Sequence, residues 1–138
     1  MKFTTLTGRS RYINIRKDAI DWDAPSRSKI QKKVKDFFRQ YWENNVCYEE
    51  MKMAGSRMRL DLVNMTKYIA IEVHGKQHES YCPFFHKSRQ DYLDQIKRDD
   101  LKREWCNINN IKLIEIYEDD IPHLSKKWVN ETFKINLI

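Results

Sequence analysis

Two acids carry the chemical interest of this chain. Asp61 and Glu72 stand eleven positions apart, each inside a stretch that alternates apolar and polar residues. Carboxylates brought side by side repel, and a divalent cation between them removes the cost. Mg²⁺ suits such a pair, because it takes oxygen ligands, keeps several waters and is commonly held by one or two carboxylates plus a substrate phosphate. Just beyond Glu72 come His74, Lys76 and His78, groups that donate or exchange protons. An imidazole does so around neutral pH. The plainer alternative is a pair of solvated acids and a strand-end imidazole on an exposed sheet face.

The elements that must position these groups follow from the alternation. Met58, Leu60 and Leu62 fall on one face of a strand, with Arg57, Arg59 and Asp61 on the other. Ile69, Ile71 and Val73 point into a core, leaving Ala70, Glu72 and His74 opposite. A turn over Asn64, Met65, Thr66 and Lys67 joins the two runs as a hairpin. With Val63 facing Tyr68, Asp61 faces Ala70 and lies diagonal to Glu72, at roughly 7–8 Å.

Asp61, then Glu72 at the end of an apolar strand, then Gly75 and His78, resembles the core of the PD-(D/E)xK restriction-endonuclease-like superfamily. The nearest branch is that of the very-short-patch repair endonucleases and related small phage and homing nucleases. Residues 91–104 and the run 106–116 resemble the helix and closing strand of the same proteins, so the likeness covers about 28–117. It implies a metal-dependent endonuclease that hydrolyses phosphodiester bonds in DNA, with Asp61 and Glu72 holding Mg²⁺ or Mn²⁺. His74 would orient or deprotonate water, and Lys76 or His78 would donate to the phosphate or leaving group. It also sets Asp99 and Lys102 on a helix that flanks the site. Two positions depart from the pattern: His74 stands where the family carries lysine, and Gln31 where the first helix often supplies a glutamate. A nuclease fold that has lost hydrolysis and serves as a nucleic-acid-binding or adaptor protein is the alternative. A small structural protein whose basic face is only solvated is a third.

Length and composition bound these readings. At 138 residues, 41% hydrophobic and 12% aromatic, the chain has enough apolar residues for a folded core. The net charge of +6 favours a polyanionic partner, DNA first and RNA still open. Cys47, Cys82 and Cys106 lack framework spacing, which fits a reducing compartment. No apolar run reaches the roughly 20 residues of a membrane helix, so a soluble intracellular protein, for instance of a phage-infected host, with no membrane partner is expected.

Residues 1–25 read as a basic N-terminal extension or arm and 26–138 as a single nuclease-like domain. In the arm, Arg9, Arg11, Arg16 and Lys17 suit a phosphate backbone, with a short strand near Tyr12. Pro25 and Ser26 signal a helix whose stripe is Ile30, Val34, Phe37, Phe38 and Tyr41. Its Lys29, Lys32, Lys33, Lys35 and Arg39 cover the remaining surface, where Lys29 and Lys33 are nucleic-acid contacts or only solvated charge. A strand over 46–50 follows, with Glu49 and Glu50 as spare metal ligands or solvated acids.

His78, Cys82 and His86 are spaced four and four, short of the four ligands that structural zinc requires. A long helix over 88–106 contacts the core through Leu93, Ile96, Leu101 and Trp105, and Lys102 is a further nucleic-acid contact. The apolar strand 111–117 is central and 125–133 is a last helix. The expected architecture is mixed α/β: a restriction-endonuclease-like core of helix, three-strand meander, helix and strand, the mixed β-sheet flanked by helices. One site cuts one strand, so coordinated double-strand cleavage would call for a homodimer.

Overall fold

The computed structural model describes residues 1–76 and 88–138. A hairpin of β1 (Lys2–Thr4) and β2 (Ser10–Tyr12) leads through a 3₁₀ turn at Arg16–Asp18 to helix α1 (Lys29–Trp42). Strands β3 (Cys47–Lys52), β4 (Arg59–Asn64) and β5 (Ile69–His74) follow, then helix α2 (Arg89–Ile108), strand β6 (Lys112–Tyr117) and helix α3 (Lys126–Phe133). The last four strands form one sheet in the order β3-β4-β5-β6, antiparallel up to β5 and parallel between β5 and β6. This is the mixed α/β class that the order of elements predicts.

Each helix starts at a serine. Ser28, Ser88 and Ser125 accept a hydrogen bond from the backbone N–H three residues on, which satisfies one of the orphan donors of the first turn. The α1 cap thus falls two residues beyond Ser26. The apolar stripe of α1 buries Val34, Phe38 and Trp42 on one sheet face, against Leu62, Ile69, Ile71, Ile114 and Ile116, with Val129 of α3 and the tail residues Ile135 and Leu137. The other face carries Met51, Leu60, Val63, Ala70 and Ile111, covered by Trp105 of α2 and by Phe3 and Ile15 from the N-terminal segment. Phe3 and Trp105 lie with ring centroids 5.1 Å apart, and Asn109 clasps both the N–H and the C=O of Thr4.

Several expectations need correcting. The sheet is covered on both faces, so the Asp61, Glu72 and His74 side chains are buried rather than set on an open face. Val63 pairs with Ala70, a register shifted by two residues, because Tyr68 adopts a left-handed backbone (φ 57°) and closes the turn instead of opening β5. Strand β6 is an edge strand among the described residues; its apolarity answers helices on two faces, not strands on two sides. Lys35, expected in water, is fully buried. Leu93 and Ile96 of α2 are exposed, and the buried residues of that helix are Trp105 and Cys106, near its C-terminal end.

Candidate active site

The ladder between β4 and β5 stops at the Leu62–Ile71 pair. One residue further, side chains replace backbone. The N–H of Asp61 donates to Glu72 Oε2 at 2.8 Å, and the N–H of Val73 donates to Asp61 Oδ2 at 2.8 Å. Each carboxylate thereby satisfies a donor of the opposite strand, which is how two acids can sit level on adjacent strands inside a covered sheet. Lys102 Nζ, arriving from α2, lies 2.6 Å from Glu72 Oε1.

The charge balance is incomplete. Two buried carboxylates face one ammonium, and burial, then the Glu72 charge, push the Asp61 carboxyl up to about 7. The Val73 N–H and Lys102 pull the other way, while Glu50 adds to the rise. Glu50 occupies the place opposite Asp61 on β3, and its left-handed backbone (φ 53°) interrupts the β3 alternation. Cys47 consequently packs on the α1 side and Met51 on the α2 side.

A cleft of about 570 Å³ opens beside this pair, with Lys102, Asp99, Arg98 and Gln95 of α2 on one wall. These positions repeat at three and four residues, so they share the helix face that continues into buried Trp105 and Cys106. The opposite wall holds Glu50, Met58, Arg57 and Arg59, and Arg27 closes one end. Among the described residues, Arg27, Arg57 and Arg98 have no acidic partner, whereas Arg59 meets Asp18 at 3.4 Å.

Two neighbouring acid clusters are answered fully. Glu49 accepts from Ser26 Oγ (2.6 Å), Gln31 Nε2 (3.0 Å) and Lys35 Nζ (2.8 Å). Glu115 of β6 accepts from His74 Nε2 (2.8 Å) and from the Nε and Nη2 of Arg103 (2.9 and 2.6 Å). Burial alone would raise the Glu115 carboxyl, but these donors hold it at about 2.

The predicted site residues therefore separate. Asp61, Glu72 and Lys102 meet, with Glu50 close to them. His74 is buried on the same side of the sheet but engaged by Glu115, and its ring lies 5.1 Å from that of Tyr117. Lys76 is exposed beyond the end of β5. His78, Cys82 and His86, and with them the zinc reading, lie outside the described residues. Arg9 and Arg11 are exposed on and beside β2, Arg16 and Lys17 on the 3₁₀ turn, and Lys29 and Lys33 on the first turns of α1. Glu49 is a structural anchor for Lys35 and Gln31 rather than a spare ligand. Sequence reasoning passed over Arg27, Arg57, Arg59 and Arg98. The spacing of 98 and 102 to Trp105 is the signal that would have placed Arg98 on the sheet-facing side of α2.

The donor set fits a hard divalent cation. It offers carboxylate oxygens from Asp61 and Glu72, and Asp61 Oδ1 receives no hydrogen bond among the described residues. No three His, Cys, Asp or Glu among the described residues converge into a finished metal cage. A site of one or two carboxylates that leaves room for water and phosphate is the arrangement Mg²⁺ favours.

No protein-family model matches the chain, and no solved structure matches it. Three viral proteins are similar over part of their length. The chain is 36% identical over 64 residues to uncharacterized protein 033L of Invertebrate iridescent virus 3, covering 46% of this chain and 33% of that protein. It is 35% identical over 65 residues to uncharacterized protein 307L of Invertebrate iridescent virus 6, covering 47% and 33%. It is 43% identical over 63 residues to uncharacterized protein 094L of Frog virus 3, covering 45% and 41%. Each aligned region spans just under half of this chain and 33–41% of the relative's length. No helix among the described residues is long and apolar enough to cross a membrane.

Proposed function

We propose that this chain is a Mg²⁺- or Mn²⁺-dependent endonuclease that hydrolyses phosphodiester bonds in DNA, on a core of the restriction-endonuclease type. The supporting observation is the pairing of Asp61 and Glu72 across β4 and β5, with one lysine, bonded to Glu72, for two buried carboxylates. Asp61 and Glu72 would hold the cation. Bound there, it supplies a water of lowered pKa and positive charge beside the phosphoryl oxygens.

The protein's own groups do the rest. Lys102 takes the place left open by His74: its ammonium has three donors, so it can keep Glu72 and still reach a phosphate oxygen. Glu115 and Arg103 fix His74, so its part is to hold the end of β5 and thereby Glu72, rather than to exchange protons with water. Arg98 and Arg57 on the two walls of the cleft would receive the backbone phosphates.

One contact favours the binding-only alternative: Lys102 already neutralises Glu72. Supercoiled plasmid incubated with the protein and Mg²⁺ or Mn²⁺, beside Asp61→Ala and Glu72→Ala, separates the two. Cleavage by the wild type alone, with all three proteins still binding DNA, supports hydrolysis. Binding without cleavage in every case leaves the adaptor reading.

A further inference from the structure

The cleft is one part of a longer basic surface. Arg57 belongs both to the cleft and to a hollow over the β3–β4 turn lined by Lys52, Gly55 and Arg11. Arg11 and Gly55 in turn belong to a third hollow with Arg9, at the N-terminal hairpin. Neither of these two hollows contains an acid. At the other end, Arg27 is shared between the cleft and a hollow at the start of α1 that includes Lys29. Among the described residues these six side chains form no ion pair, while Arg39, Arg103 and Lys35 elsewhere are each engaged by an acid. The hairpin is held in place: Gly55 has φ 80°, and a Cβ there would come within 2.6 Å of Thr5 Cγ2, so the turn and the hairpin are in contact.

We infer that this surface is a docking track for a DNA duplex, which enters over the N-terminal hairpin, passes the β3–β4 turn and crosses the cleft toward the start of α1. The inference rests on the nucleic-acid part of the proposed function and adds the path. β3 runs from the cleft residue Glu50 to Lys52, and the turn that follows carries the surface on to Gly55 and the hairpin. A duplex too short to extend past the cleft on the hairpin side loses those contacts.

The test measures binding of duplexes of increasing length to the full chain in EDTA, across a salt series, so that cleavage plays no part. The variants are Arg9→Ala/Arg11→Ala/Arg57→Ala and, as an equal loss of charge on α3 and just beyond it, Lys126→Ala/Lys127→Ala/Lys134→Ala. All these side chains are exposed, and circular dichroism checks the fold of each variant. The track variant is expected to lower the slope of log affinity against log salt by about 2.5–3, close to 0.9 per lost phosphate contact, with the α3 variant near wild type. Equal slopes for track variant and wild type, equal losses in both variants, or affinity independent of duplex length overturn the inference. Intact slopes with cleavage present sink the track alone; a track-dependent slope with no cleavage sinks the hydrolase reading alone.

Discussion

On the α1 side of the sheet, Glu49 meets a lysine, a glutamine and a serine, while the buried pair Asp61 and Glu72 has a single lysine, bonded to Glu72. The first cluster is closed: Lys35 is fully buried, and every polar group finds its partner inside the protein. The second is open by about one positive charge, and its shortfall shows in an Asp61 carboxyl pushed up to about 7 by burial and by its neighbour. Glu115, held at about 2 against the effect of burial by His74 and Arg103, shows that this fold can stabilise a half-buried carboxylate when it supplies the donors. A buried acid pair left short of positive charge either keeps a proton or takes up a cation from outside the chain.

The largest effect that separates the two clusters is on chemistry. Asp61→Ala and Glu72→Ala are each expected to reduce plasmid cleavage by at least about 1,000-fold, on the order of 4 kcal/mol of transition-state stabilisation, as read from nicking rates. Glu115→Gln serves as the contrast and should lose far less.

The next effect is on folding and runs the other way. Lys35→Ala leaves Glu49 short of its cation in a closed site and should lower stability by about 3–5 kcal/mol in denaturant titrations. Lys102→Ala should cost clearly less when Mg²⁺ is present, because the cleft admits a replacement charge. Equal losses for both variants under that condition would erase the contrast.

The third effect is pH dependence. Asp61 has a higher pKa in the folded chain than its ordinary value of 3.8, so between those two values the folded state binds more protons than the unfolded one. Stability of the metal-free protein should therefore fall as pH rises from about 4 to about 7, by on the order of 2–4 kcal/mol. Asp61→Asn should flatten that slope in thermal melts, and saturating Mg²⁺ should restore stability at the upper end. Glu115 contributes in the opposite sense: its stabilisation is present above the ordinary carboxylate range and is lost only as pH falls toward about 2. The smallest effect is expected at the exposed Lys127–Glu131 pair, where Lys127→Ala should change stability by at most about 0.3–0.5 kcal/mol.

Much of the open site was legible in the sequence, because both acids stand on predicted strands, although the expected common face of Met58, Leu60 and Leu62 is not kept: Met58 and Leu60 pack on the α2 side and Leu62 on the α1 side. The register was not legible. Tyr68 and Glu50 adopt left-handed backbone conformations, which neither residue type signals, and each reassigns the residues beside it. The sequence marks Lys102 only as a nucleic-acid contact and a flanking group, since its meeting with Glu72 depends on the way α2 crosses the sheet, a property of packing rather than of local pattern. The burial of Lys35 was invisible for the same reason: one position in a lysine-rich helix turns inward only because Glu49 waits on β3. The N-terminal segment, read as an arm, places Phe3 and Ile15 in the core, where Trp105 and Asn109 receive the hairpin.

The most direct measurement is Mn²⁺ binding followed by electron paramagnetic resonance and calorimetry, on wild type, Asp61→Asn, Glu72→Gln and Glu115→Gln. One ion bound by wild type and by Glu115→Gln, with binding lost in the other two, is the predicted result. No binding by wild type, or unchanged binding in Asp61→Asn and Glu72→Gln, would contradict the claim that these two carboxylates form an incomplete site finished by a cation.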